Sequence, residues 1–122
     1  MAKKVMVVDD SNAIRQSLIF ILKSAGYEVV EAANGVDALS LMKEHAIGLF
    51  ISDVNMPEMD GITLLKKIKA DKDYNHTPVI MLTTEASGDM ITEGKEAGAK
   101  AWMIKPFQPE QLIGAVKKLF VI

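Results

Sequence analysis

Apolar residues in this chain change their spacing about every two dozen residues, from short β-branched runs to longer stretches with helical periodicity. The short runs are Val5-Met6-Val7-Val8, Glu28-Val29-Val30-Glu31, Gly48-Leu49-Phe50-Ile51, Pro78-Val79-Ile80-Met81-Leu82 and Ala101-Trp102-Met103-Ile104. Most lack polar alternation, as strands buried on both faces do. The first helix starts at Ser11 or Asn12, turns Ile14, Leu18, Ile21 and Leu22 inward, and stops at Gly26. The second runs from about Asn34 to Glu44, with Val36, Ala38, Leu41 and Met42 inward. The third begins near Gly61 and buries Leu64, Leu65 and Ile68. The fourth, about Ser87 to Ala97, carries Gly88 and Gly94 and has only Met90, Ile91 and Ala97 as anchors, so it is the most weakly held. The fifth begins near Pro109 with Leu112, Val116, Leu119 and Phe120 inside. Strands alternating with helices imply βαβ crossovers and a parallel sheet covered on both faces. The expected fold is therefore α/β, a (βα)5 three-layer sandwich.

At 122 residues the chain has room for one domain, and a single domain over residues 1–122 with no output domain is expected, since the last helix should end within a few residues of Ile122. Cysteine is absent, which excludes disulfides, thiolate zinc sites, Fe–S ligation and thiol catalysis. No apolar run approaches the roughly 18 residues of a membrane span, and no signal-peptide core follows Met1. No membrane role and a cytoplasmic location are expected. Fourteen basic against sixteen acidic side chains leave a net charge of −2, so nothing suggests nucleic acid as a partner. The eight methionines read as core filler. No GxxxxGK[ST] run is present, which excludes a P-loop enzyme.

Three carboxylates stand where apolar runs end: Asp9 and Asp10 after the first, Asp53 after the third. In open parallel sheets, ligands bind outside the carboxyl ends of the strands where strand order reverses. With the order 2-1-3-4-5, taken over from flavodoxin-like proteins, strands 1 and 3 are neighbours and the three acids converge. Adjacent side chains of a strand point to opposite faces, so Asp9 and Asp10 can meet only if the strand ends there. Clustered carboxylates repel and raise one another's pKa, which calls for a cation or a phosphoryl-transfer task. An all-oxygen ligand set favours Mg2+. Lys105, followed by Pro106, ends the fifth run and offers a compact cation to phosphate oxygens. Thr83, with Thr84, closes the fourth run and offers a hydroxyl at the same rim. Each of these residues alone has a commoner role as turn former, helix cap or solvated strand end. Base rates make the Lys105–Pro106 peptide trans.

The segments VVDDS at Val7 to Ser11, DVNMPEMDG at Asp53 to Gly61, Leu82-Thr83-Thr84, and KPF at Lys105 to Phe107 occur in that order along the chain. Together they resemble the bacterial response-regulator receiver domains, and most of all the stand-alone chemotaxis type. The resemblance implies Asp53 as phospho-acceptor, and Mg2+ held by Asp9, Asp10 and Asp53 with the backbone carbonyl of Asn55. It implies phosphoryl contacts from Lys105 and Thr83, a turn permitted by Gly61, and a cis peptide between Lys105 and Pro106. Trp102 falls at the rotating aromatic position, so that Thr83 and Trp102 form the switch; the family usually carries tyrosine or phenylalanine there. Asn55 and Glu85 would flank the path of hydrolytic water and tune the lifetime. The partners implied are a histidine kinase or a small donor such as acetyl phosphate, a target on the face of helix 4, strand 5 and helix 5, such as a flagellar switch protein, and a phosphatase, with the protein itself a monomer. It would not be an enzyme beyond phosphorylating and slowly dephosphorylating itself. Alternative readings are an aspartyl-phosphate phosphatase or phosphotransferase, a single-domain relay protein outside chemotaxis, and a binding module that has lost phosphorylation. The first usually has a general acid two residues after its nucleophile, where this chain has Asn55.

Overall fold

A computed structural model describes residues 4–84 and 88–120. Among these, strands β1 (Lys4–Val8), β2 (Glu28–Ala32), β3 (Leu49–Asp53), β4 (Val79–Thr83) and β5 (Ala101–Ile104) alternate with helices α1 (Asn12–Ser24), α2 (Gly35–Leu41), α3 (Gly61–Ala70), α4 (Gly88–Ala97) and α5 (Pro109–Leu119). The strands form one parallel sheet in the order β2-β1-β3-β4-β5, the doubly wound order expected.

The uninterrupted apolar runs are explained by two-sided burial. Along β1, β3 and β4, alternate side chains enter opposite cores. Met6, Val8, Phe50, Val79 and Met81 pack with Ala38, Leu64, Leu65 and Ile68 of α2 and α3. Val5, Val7, Leu49, Ile51, Ile80 and Leu82 pack with Leu18, Leu22, Leu112 and Val116 of α1 and α5. The outer strands have a neighbour on one side only, and both keep exposed positions: Glu28 and Glu31 on β2, Ile104 on β5. Five methionines, Met6, Met42, Met56, Met81 and Met103, are core residues.

Helix starts follow side-chain capping. Ser11 accepts from the Ile14 amide at 3.3 Å, Asn34 from Asp37 at 2.8 Å and Asp60 from Thr63 at 2.8 Å. Pro109 opens α5, where its missing N–H costs nothing. The helix expected from Asn34 to Glu44 is shorter than its apolar spacing suggests. It ends at Leu41, and the amides of Lys43 and Glu44 turn back to the carbonyls of Ser40 and Leu41. β3 runs further than its apolar run suggests, to Asp53, because ladder bonding continues through its polar last residues, while β4 ends at Thr83, as expected. The expected start of α4 at Ser87 lies outside the described residues. No helix among them is long and apolar enough to cross a membrane.

Candidate functional site at the carboxyl rim of the sheet

Parallel pairing brings the strand ends to one rim. Val8 is level with Ser52, Asp53 with Leu82, and Thr83 with Ile104. β1 ends at Val8, so Asp9 and Asp10 are freed from strict alternation. Asp9 turns inward and is 1% exposed, whereas Asp10 is exposed; even so, one oxygen of each, with one of Asp53, all lie within 4.8 Å of one another.

Buried carboxylates need partners. One oxygen of Asp9 accepts from the Ser11 amide at 2.9 Å and the other from Lys105 Nζ at 2.8 Å. Asp53 accepts from the Val54 amide at 2.9 Å through Oδ1, which also lies 3.3 Å from Lys105 Nζ. Lys105 thus bridges two acids from residues that lie far apart along the chain. Burial and the neighbouring Asp9 push the Asp53 carboxyl above its usual range, against the pull of Lys105 and the Val54 amide. Burial alone would lower the Lys105 ammonium, but the Asp9 hydrogen bond and the charges of Asp53 and Asp9 outweigh it and hold the lysine above its ordinary value. Three carboxylates facing one ammonium leave two negative charges uncompensated. An oxygen-lined rim with that charge is compatible with a divalent cation, Mg2+ above all.

Thr83 is fully buried at the end of β4, and its carbonyl accepts from the Lys105 amide at 2.8 Å. The Lys105–Pro106 peptide is cis, as the resemblance implies and against the base rate. Asn55 is exposed and lines an open cleft of about 400 Å3 with Val54, Asp60, Ile62, Thr63, Asp89, Met90 and Glu93. Trp102 is half-buried on β5 against α4. Glu85 lies outside the described residues.

Gly61 has a different job from the one its sequence position suggests. The left-handed residue of the loop is Glu58, at φ 68°, while Gly61 begins α3 and donates its amide to the Val54 carbonyl at 2.8 Å. A Cβ there would overlap the Asp53 carbonyl oxygen, so the glycine is required by close approach of two backbones. Gly61→Ala should therefore cost about 2 kcal/mol in denaturant unfolding. Gly114→Ala on α5, where a Cβ meets nothing within 4 Å, should instead stabilise by about 0.5–1 kcal/mol.

One contributor escaped the sequence reading. Arg15, the only arginine, donates from Nη1 to the Asp9 carbonyl at 2.7 Å and pairs through Nε with Glu31 at 3.0 Å. It ties the loop after β1 to α1 and β2. The available signal was a lone arginine in the first turn of the helix that follows the acids.

The chain matches a family model described as the response regulator receiver domain over residues 5–117. It is 36% identical over 118 residues to chemotaxis protein CheY-3 of Vibrio cholerae serotype O1, covering 96% of this chain and 91% of that one. It is 40% identical over 111 residues to a chemotaxis protein CheY homolog of Campylobacter jejuni, covering 89% and 85%. Among solved structures, Vibrio cholerae CheY4 superposes with TM-score 0.94 at 42% identity, over 98% of this chain and 100% of that one. The signal receiver domain of a signal transduction histidine kinase from Syntrophus aciditrophicus superposes with TM-score 0.89 at 34% identity, over 97% and 89%.

Proposed function

The chain belongs to the response regulator receiver domain family, and from that premise we propose that it is a Mg2+-dependent phospho-accepting signalling protein, phosphorylated on Asp53. The observation that supports this most is the placement of the Asp53 carboxylate, buried between Asp9 and Lys105 at the rim where β1, β3, β4 and β5 end. Asp9, Asp10 and Asp53, with the backbone carbonyl of Asn55, would hold Mg2+. Bound there, the ion supplies charge neutralisation and alignment of phosphoryl oxygens.

The work of the chain's own residues follows from their charges. An Asp53 oxygen attacks phosphorus, an acyl-phosphate P–O bond forms, and the bond to the donor breaks with its electron pair leaving on the donor. The donor is a phosphohistidine of a histidine kinase or a small acyl phosphate such as acetyl phosphate. Lys105 Nζ, 3.3 Å from Asp53 Oδ1, would offer a cation to an added phosphoryl oxygen, and the Thr83 hydroxyl would donate to another. The ionised carboxylate is itself the nucleophile, so its attack needs no base. Asn55 cannot act as a general acid, which argues for slow self-dephosphorylation and against a phosphatase or phosphotransferase. It lines the open cleft beside Val54 and Asp60, and with Glu85 it would tune the lifetime.

The new phosphoryl charge would draw Thr83 and Lys105 inward and displace Trp102, altering the face of α4, β5 and α5 for a downstream protein. The relatives named as chemotaxis proteins support a role in chemotaxis; the same proposal takes a flagellar switch protein as target, a phosphatase as partner, and a cytoplasmic monomer. Likeness to a receiver domain of a histidine kinase supports a second reading, a relay in another pathway.

Incubation with acetyl phosphate and Mg2+ should raise the intact mass by one phosphoryl group, and excess chelator should abolish the gain. An unchanged mass with Mg2+ present would overturn the proposal. Pull-down with and without beryllofluoride separates the pathways: capture of flagellar switch protein only with the mimic supports chemotaxis, and its absence favours another relay.

A further inference from the structure

Gly94 is the one buried residue of α4, and the indole of Trp102 on β5 is what covers it. A Cβ on Gly94 would overlap Cζ3 of the ring and stand 3.1 Å from Cε3 and 3.2 Å from Cη2. Glycine weakens a helix interior relative to alanine, so its presence opposite the ring has a packing reason. The indole Nε1 is the one buried side-chain nitrogen or oxygen without a hydrogen-bond partner among the described residues. Shape, and no polar bond, therefore fixes the ring against the helix.

We propose that Gly94 is a positioning residue that seats Trp102 against α4, so that ring and helix move together when the site at Asp53 is occupied. The seat stands on the packing alone; the coupled movement rests on the phospho-acceptor reading above. A glycine opposite the ring is what lets β5 carry an indole, the bulkiest side chain, at this position. Alanine there admits only a smaller ring.

Trp102 is the only tryptophan in the sequence, so its emission reports the seat directly. Gly94→Ala should shift the emission to the red, raise quenching by acrylamide and lower the thermal midpoint by roughly 5 °C. In a Trp102→Phe background the same Ala substitution should leave the midpoint unchanged or raise it, because the smaller ring removes the clash and alanine favours the helix. Comparing Trp102→Phe with and without Gly94→Ala keeps the test usable if Gly94→Ala alone folds poorly. An equal drop in both backgrounds, or an unmoved emission in Gly94→Ala, would overturn the seat. Adding Mg2+ and beryllofluoride should change the wild-type emission, and the change should be lost in Gly94→Ala. If acetyl phosphate labels Asp53 while wild-type emission stays constant with the mimic, the coupled movement is overturned and the phospho-acceptor reading survives. If labelling itself fails, that reading and the coupling fall together, and the background-dependent sign still decides the seat.

Discussion

Asp53→Asn should take up no phosphoryl group from acetyl phosphate and Mg2+, and in metal-free buffer at neutral pH it should be more stable than the parent by about 1–2 kcal/mol. The first effect follows from chemistry: an amide is no nucleophile toward phosphorus, and neighbouring Asp9 already pairs with Lys105 and Ser11. The second follows from electrostatics. Burial and Asp9 raise the Asp53 pKa above 3.8, so the folded state binds this proton more tightly than the unfolded chain does. Stability therefore falls as pH rises from about 3.8 through the raised folded value, and the penalty is complete above that value. The amide carries no such penalty, so its advantage should disappear below the unfolded carboxylate pKa. Intact mass and thermal melts across pH test both arms; retained labelling would reassign the acceptor. An unchanged stability at neutral pH would mean that Lys105 fully offsets the crowding.

Lys105→Met should be the most destabilising change at the rim, by about 3–5 kcal/mol without metal, because it strands two buried carboxylates that now share one ammonium. The lysine side chain is only 11% exposed, so solvent screens little of this loss. The lysine's raised pKa gives the pH signature. Its stabilising contribution is complete below 10.5 and is lost as pH climbs through the folded value, so parent and variant should converge only in strong alkali. Mg2+ should raise the midpoint of Lys105→Met by more than that of the parent, since a divalent cation replaces the missing charge at carboxylates no longer held by the ammonium. Denaturant unfolding with and without Mg2+ measures this. Equal gains in parent and variant would place the ion away from these acids.

Much of the fold was legible because each central strand is apolar on both faces, which only a doubly covered parallel sheet satisfies. The strand ends were less so. Asp53 is a polar residue inside the ladder, and apolar periodicity cannot see a strand continue through it. The candidate site residues were named on spacing and resemblance, and their convergence depends on the neighbouring of β1 and β3, which no local pattern encodes. Gly61 and Gly94 show the same limit from another side. Both are glycines with room made for something else, a backbone carbonyl in one case and an indole in the other, and the partner is remote or on another element.

The chain's own order of residues determined the alternation of strands and helices, the placement of three acids, a threonine and a lysine at apolar run ends, and the caps that start α1, α2 and α3. These are short-range properties, set by periodicity and by side chains reaching their own backbone. Tertiary structure alone decided that Lys105 lies between Asp9 and Asp53, that Arg15 braces the Asp9 loop, and that Trp102 rests on Gly94. Such contacts join segments distant in the chain, and their energy depends on distance and burial that exist only once the sheet has assembled.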